Sequence, residues 1–156
     1  MLRYQESIRI AAPADLIYDL VADVTSTGDR SPECRRAEWL GASAKAVTGA
    51  RFRGHNRWRG FAWWRNATIT GAVRGQEFAF KTEPGHGIYH DSTTWRYRFE
   101  PTGERATRVT ESYEFSAPRW LQTMDTMLGR PKALQNGVHR TLANLKHAAE
   151  SAAGNT

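Results

Sequence analysis

Glu111 is the residue whose type and position point most directly to chemistry. From Thr107 to Phe115 the side chains alternate with a period of two, which is typical of a strand with one buried face. Val109, Tyr113 and Phe115 share the apolar face, and Glu111 falls among them. A carboxylate in such a position costs several kcal/mol when it is unpaired, or it takes up a proton. We therefore expect Glu111 to be salt-bridged, hydrogen-bonded or facing a wet cavity.

The same alternation, applied to the other strand-like segments, predicts an inward face that is mostly aromatic. Four polar residues interrupt it, namely Glu6, Asn56, Arg65 and Glu111. An apolar cavity with a few convergent polar groups is the usual form of a small-molecule site. The predicted cavity residues, including those of a closing helix, are Trp39, Phe52, Asn56, Trp63, Phe78, Phe80, Trp95, Tyr97, Tyr113, Met124, Met127, Leu128 and Val138.

Two interpretations of Glu111 and Arg65 compete. In the first they are catalytic: burial raises the pKa of the carboxyl group so that it moves a proton on a bound carbonyl compound, and Arg65 stabilises a developing enolate oxygen. In the second, Arg65 forms an ion pair with Glu111 and neutralises it. We favour the second, because structural ion pairs perturb charged groups as readily as catalytic ones do. Glu6 is expected at the sheet margin, in contact with water.

The sequence predicts no metal and no cofactor. His86 and His90 stand near Asp91, but they flank glycines in a turn, which is a poor setting for metal ligands. The glycines of this turn also lack the strand-to-helix context of a phosphate-binding loop. The single cysteine, Cys34, excludes an internal disulfide and fits a reducing compartment.

Strands and one long helix must position these side chains. A first strand, Tyr4 to Ile10, precedes a helix that begins at Pro13, and a second short helix is predicted with Ser31 as its cap. Six strand-like segments follow, separated by turns that contain glycine. Consecutive short strands of this kind form an antiparallel meander. They are predicted at residues 35–41, 50–58, 63–73, 77–83, 92–100 and 105–116.

After Pro118 the hydrophobic period becomes helical, and Gly129-Arg130-Pro131 is expected to kink or break the helix. An apolar stripe from Leu134 to Ala149 continues to the end of the chain. The sheet needs a cover, and this helix is the only element large enough. We therefore predict an α+β fold with a single ligand-binding domain at residues 1–151 and a frayed tail at 152–156.

Several strings of this sequence are similar to those of the START-related helix-grip (SRPBCC) superfamily, in its polyketide cyclase/dehydrase and lipid-transport branch. They are IAAPAD at 10–15, SPEC at 31–34, GARFRGHN at 49–56, EFAF at 77–80, TWRYRFEP at 94–101, TRVTES at 107–112 and NGVHRTLANLK at 136–146. The resemblance implies a seven-stranded curved antiparallel sheet wrapped around a long C-terminal helix, with two short helices after the first strand. It also implies a long cavity between sheet and helix that holds a hydrophobic small molecule.

Charge and hydropathy narrow the possible partners. There are 22 Lys and Arg against 16 Asp and Glu, a net charge of +6, but the excess is scattered along strands. This distribution favours a solvated basic face over nucleic-acid binding. No segment has the apolar length of a membrane span, and the N-terminus has no hydrophobic signal region, so we expect a cytoplasmic protein.

The expected partner is a hydrophobic small molecule, aromatic polyketide-like or lipid-like, bound without a cofactor. The protein is expected to be a monomer or a homodimer, since a meander leaves edge strands that can pair between chains. The alternative is a polyketide cyclase/dehydratase-type enzyme. Such a reaction requires only folding of the substrate, a base that takes an acidic proton and an acid that releases water.

Overall fold

The structure, a computed structural model, describes residues 1–42, 44–85 and 87–155. Its strands are β1 (Leu2–Ile10), β2 (Cys34–Leu40), β3 (Arg51–Trp58), β4 (Phe61–Val73), β5 (Glu77–Thr82), β6 (Ser92–Gly103) and β7 (Ala106–Ser116). Its helices are α1 (Ala14–Ala22), a 3₁₀ helix at Val24–Asp29, α2 (Arg119–Met127) and α3 (Arg130–Gly154). The predicted fold, a seven-stranded sheet with two short helices after the first strand and a long C-terminal helix, is confirmed.

The seven strands form one antiparallel sheet in the order β1-β7-β6-β5-β4-β3-β2. Strands β2 to β7 pair consecutively as a meander, and β1 adds to the free side of β7. The ladder shifts register between Cys34 and Arg36, between Ile69 and Gly71, and between Pro101 and Gly103. Irregularities of this kind bend a strand and increase its twist, which helps the sheet curve around its apolar side.

The alternation predicted for β7 is present in the fold. Val109, Glu111, Tyr113 and Phe115 are buried, whereas Arg108 is exposed. Side chains of one parity therefore face the concave, helix-covered side of the sheet. Glu111 lies on that side, as the sequence predicts.

Helix α3 covers the concave side with one apolar stripe, in which Val138, Leu142 and Leu145 are buried. The predicted break before it is confirmed. Gly129 has a φ of 76°, in the left-handed region that glycine adopts without strain, and it separates α2 from α3. Helix α3 continues to Gly154, past residue 151, where the sequence pattern predicts that fraying begins.

The second short helix lies earlier than predicted. The 3₁₀ helix ends at Asp29, so Ser31 does not cap a helix. The Ser31 Oγ instead accepts hydrogen bonds from the backbone N–H of Glu33 at 3.2 Å and of Cys34 at 3.0 Å. These bonds form a tight turn that leads directly into β2. The prediction was wrong because serine satisfies backbone N–H groups in turns by the same geometry that it uses at helix starts.

Candidate ligand cavity

A cavity of about 570 Å³ lies between the concave side of the sheet and the helices. Helix α1 packs at one end, where Tyr18 meets the rings of Phe78 and Phe99 edge-on at 6.3 and 5.7 Å between centroids. The deepest part of the lining, here called the inner wall, contains the buried residues Phe78, Glu111 and Val138. A cavity of this volume is in the usual range for sites that bind small molecules.

The opposite end of the cavity is lined by exposed apolar side chains. We call Phe61, Tyr89, Met124 and Leu128 the mouth; all four line the cavity and are exposed, Phe61 at 74%. They come from three separate segments, namely the start of β4, the β5–β6 connection and the α2 region. These exposed apolar side chains converge on one apolar surface at this end of the cavity.

Glu111 and Tyr97 form the polar part of the inner wall. They are direct neighbours across the β7–β6 ladder, and Phe78 continues the same row on β5. The Tyr97 hydroxyl donates a hydrogen bond to Glu111 Oε1 at 2.7 Å. The other carboxyl oxygen, Oε2, is buried and has no hydrogen-bond partner among the described residues. One half of the Glu111 carboxyl group is therefore satisfied and the other half is not.

Burial controls the charge of this carboxyl group. It raises the pKa of Glu111 to about 8, against smaller lowering effects of the Tyr97 hydrogen bond and the Arg30 charge, and the nearby Glu6 carboxylate raises it slightly further. Burial also raises the pKa of Tyr97 well above its ordinary value, and the adjacent Glu111 adds to that effect. Around neutral pH the folded protein therefore holds Glu111 mainly as a neutral acid.

Arg65 does not pair with Glu111, which corrects the expected ion pair. Its Nη2 contacts Asp91 Oδ1 at 2.5 Å, and its Nη1 donates to the Glu83 carbonyl oxygen at 3.4 Å. Two strands, β6 and β5, lie between β7 and β4 in the sheet. The residue of β4 that lies level with Glu111 across these strands is Ala72. Arg65 lies seven residues away along that strand, a distance of about 20 Å at the rise of an extended chain. Arg65 therefore fixes the β5–β6 connection near the mouth.

A second arginine fastens the start of α3 to the sheet. The Arg130 guanidinium donates two hydrogen bonds of 2.6 Å to the two oxygens of Glu33. It also lies over the rings of Trp58 and Trp63, at 4.9 and 5.5 Å from their centroids. A bidentate arginine–carboxylate pair of this kind fixes the start of α3 relative to the segment before β2. The charges of Arg130 and Glu33 are therefore satisfied within the protein.

Most of the predicted cavity residues line the observed cavity. They are Phe52, Asn56, Trp63, Phe78, Phe80, Trp95, Tyr97, Met124, Leu128 and Val138, together with Arg65 and Glu111. Strand parity predicts the face on which a residue lies, and the register shifts fall where they do not reverse these assignments.

Three predicted residues, Trp39, Tyr113 and Met127, lie off the lining that the described residues form. Trp39 packs edge-on against Phe52, at 6.2 Å between ring centroids. Tyr113 packs between Tyr4 and Trp95, at 6.1 and 5.2 Å. Met127 ends α2 and is 84% exposed. Parity and helical spacing do not indicate how far along an element the cavity extends.

Sequence reasoning missed several residues of the lining. Arg30 is 7% exposed and its Nη1 donates to Ser26 Oγ at 2.6 Å, but it lies after a 3₁₀ helix, in irregular backbone that has no periodic signal. For Asp91 the sequence suggests only the role of a metal ligand, which is not its role as the ion-pair partner of Arg65. Leu121 is buried and could have been found, because it is three residues from Met124 and seven from Leu128, on one helical face.

Glu6 lies on the edge strand β1, where it accepts hydrogen bonds from His139 Nδ1 at 2.7 Å and Tyr4 at 3.0 Å. Within residues 1–42, 44–85 and 87–155, no group of three or more His, Cys, Asp and Glu side chains could hold a metal ion. His86, of the metal pattern considered above, lies outside the described residues. No helix in the described part of the chain combines the length and apolarity needed to cross a membrane.

Residues 1–150 match the family described as polyketide cyclase / dehydrase and lipid transport. The chain belongs to this family. The match confirms the resemblance on which the helix-grip fold was predicted. The family name covers both enzymes and lipid carriers, so membership alone does not choose between them.

Several solved structures from different organisms share this fold. The Zhui aromatase/cyclase from Streptomyces sp. R1128 aligns with a TM-score of 0.66 and 19% identity, over 98% of this chain and 93% of that one. A START superfamily protein from Mycobacterium smegmatis aligns with a TM-score of 0.66 and 14% identity, over 98% and 97%. The ginseng major latex-like protein 151 from Panax ginseng gives 0.72 and 12%, over 95% and 97%. At these identities the likeness shows the fold alone.

Among curated sequences, an uncharacterized protein of Mycobacterium tuberculosis is 27% identical over 146 residues. The match covers 92% of this chain and 62% of that protein, so this chain spans less than two thirds of the relative's length.

Proposed function

We propose that this family member binds a hydrophobic small molecule in the cavity between the sheet and α3. The observation that carries the proposal is the cavity itself, which has a volume of about 570 Å³, an aromatic and aliphatic lining, and an apolar mouth. Buried apolar surface supplies most of the affinity in sites of this kind, and a few polar groups fix the orientation of the ligand. The proposed ligand is aromatic polyketide-like or lipid-like. The proposed location is the cytoplasm, where Cys34 stays reduced.

The test is to fill the cavity and to measure binding of an apolar fluorescent probe, anilinonaphthalene sulfonate. Leu134 on α3 lines the cavity, so Leu134→Trp should occupy part of the volume and weaken probe binding about tenfold or more. Ala143 lies on the exposed side of the same helix, and Ala143→Trp should leave binding unchanged. Equal affinity of both variants, or absence of probe binding by the wild type, would contradict the proposal. Native mass spectrometry of protein purified from its own host would identify a bound molecule directly.

A second candidate function is favoured by the state of Glu111. A neutral acid in an apolar cavity, hydrogen-bonded to Tyr97, is suited to proton transfer on a bound ketone. Cyclisation of a polyketone joins an enolate carbon to a ketone carbon, and dehydration then releases water; the two steps need a base and an acid. Of the two residues proposed as catalytic, Arg65 is already paired with Asp91, so Glu111 keeps the greater free capacity.

Glu111→Gln separates the two candidates, because glutamine keeps the shape of the side chain but cannot exchange a proton. If the protein is an enzyme, turnover of a polyketone should fall about 10²-fold or more while its binding is kept. If the wild type binds the polyketone without converting it, the protein is a carrier and the second candidate fails.

A further inference from the structure

Glu111 has a hydrogen-bonding capacity that no described residue uses. The residue is 3% exposed, it lines the cavity, and its Oε2 has no partner among the described residues. A buried polar group without a partner is rare in folded proteins and calls for a specific explanation, such as a catalytic role or a bound molecule that completes its hydrogen bonds. The last torsion of a glutamate side chain is broad, so a small rotation can turn Oε2 toward a molecule in the cavity.

The surroundings decide whether this oxygen donates or accepts. The Tyr97 hydroxyl already donates to Oε1, and a neutral carboxyl group that accepts through one oxygen carries its proton on the other. No Arg, Lys or His forms an ion pair with Glu111 within the described residues. Burial without an ion pair disfavours the charged form, and this effect exceeds the opposing effect of the Arg30 charge, so Oε2 carries the proton and is a donor.

The groups that act on Glu111 come from each neighbouring element. Tyr97 on β6 donates to it, and Glu6 on β1 stands opposite it across the ladder. Arg30, after the 3₁₀ helix, acts on it through its charge, and Cys34 on β2 acts on Tyr97. Helix α3 contributes two buried lining residues, the apolar Val138 and Thr141, which carries a hydroxyl group. Arg30 also lines the cavity, and a guanidinium can only donate hydrogen bonds.

We infer that Glu111 is a specificity-determining residue that selects ligands with a hydrogen-bond-accepting oxygen, such as a ketone carbonyl, at their inner end. The inference rests on the proposed function. Ligands that present an N–H or O–H donor at the same place are disfavoured, because donor would face donor. The mouth is apolar, so the ligand binds with its oxygen inward and its hydrocarbon body toward Phe61 and Leu128.

The experiment compares three rigid probes of nearly equal shape by competition with anilinonaphthalene sulfonate. Fluorene has no polar group, fluorenone has an accepting carbonyl, and carbazole has an N–H donor. At about pH 6, below the Glu111 pKa of about 8, fluorenone should bind about threefold to tenfold more tightly than fluorene, as expected for one added hydrogen bond. Carbazole should bind more weakly than fluorene. Well above pH 8 the fluorenone advantage should shrink and carbazole should gain.

Two variants locate the effect. Glu111→Leu removes the donor without adding a polar group, so fluorenone and fluorene should bind equally and fluorene should bind at least as tightly as in the wild type. Fluorene binding also shows that this variant is folded. Glu114→Leu makes the same change at an exposed position of the same strand that does not line the cavity, and it should keep the wild-type order.

The inference is overturned if carbazole binds most tightly at about pH 6, or if Glu111→Leu keeps the fluorenone advantage. Equal binding of fluorenone and fluorene by the wild type also overturns it, while leaving the proposed binding function intact. Failure of all three probes to bind overturns the proposed function and the inference together.

Discussion

Partly or fully buried carboxyl groups lie both at the inner wall and near the mouth of the cavity, but their partners differ. Near the mouth, Asp91 and Glu33 each face an arginine within hydrogen-bonding distance. At the inner wall, the Tyr97 hydroxyl is the one hydrogen-bond partner of the Glu111 carboxyl group within the described part of the chain. The first two form ion pairs that hold segments of the chain together. The third gives up its charge and keeps one oxygen unpartnered.

The comparison shows where the cavity can recognise a ligand. A paired charge is already satisfied, so it contributes to position and stability more than to selection. A buried neutral acid with one unpartnered oxygen lowers the stability of the ligand-free protein. A ligand that forms a hydrogen bond with this oxygen removes that penalty. Recognition is therefore expected at the inner wall, and the mouth is expected to hold elements in place and to admit the ligand.

The largest expected effect concerns pH and stability. Glu111 binds its proton more tightly in the folded protein, with a pKa of about 8, than at its ordinary value of 4.5. The free energy of unfolding contributed by this group is therefore highest below about pH 4.5, falls as the pH rises, and is flat above about 8. Relative to Glu111→Gln, the wild type should lose roughly 5 kcal/mol over this range. Urea unfolding of both proteins at a series of pH values measures the difference, and parallel curves would contradict the account.

A smaller effect is expected at the mouth. Arg65→Met leaves the half-buried Asp91 unpaired and should lower the free energy of unfolding by about 1–3 kcal/mol. Arg51→Met is the control, because the Arg51–Glu83 pair joins neighbouring parts of the sheet but is more exposed; it should cost less than about 1 kcal/mol. Thermal or denaturant unfolding compares them, and equal costs would show that Arg65 is not a special anchor of the mouth.

The smallest effect on stability is expected for Phe61→Ser. Phe61 is largely exposed, so its removal should change the free energy of unfolding by less than about 0.5 kcal/mol. Because Phe61 also lines the cavity, binding of anilinonaphthalene sulfonate should weaken several-fold. Val73→Ser, which removes an exposed apolar residue that does not line the cavity, should leave binding unchanged. The same loss of binding in both variants would mean that the mouth has no particular role.

Local patterns were enough to predict the elements and the face on which Glu111 lies. Alternation in β7 depends only on the extended backbone. Gly129 and Pro131 interrupt a helix because glycine readily adopts the left-handed conformation and proline has no backbone N–H. The family resemblance supplied the arrangement of sheet and helix. Most of the residues that these two sources predicted for a cavity lie in its lining, although they make up only a part of that lining.

Pairings between distant residues could not be predicted in the same way. Arg65 and Glu111 share a face, but strand order and register place them far apart, and both depend on the whole sheet. Asp91 reaches Arg65 from an irregular connection that has no sequence period. At Ser31 a local pattern was ambiguous as well, because a serine side chain accepts backbone hydrogen bonds in a turn just as it does at the start of a helix.

The most direct test of the central claim is a carbon-13 NMR titration of the Glu111 carboxyl carbon, assigned by the loss of its signal in Glu111→Gln. The account predicts a titration midpoint of about 8, with the neutral acid predominating at neutral pH. In Tyr97→Phe the midpoint should move higher, because the lost hydrogen bond is one of the influences that lower this pKa. A midpoint at or below 4.5 in the wild type would show that Glu111 is charged in the folded protein, and would contradict the account.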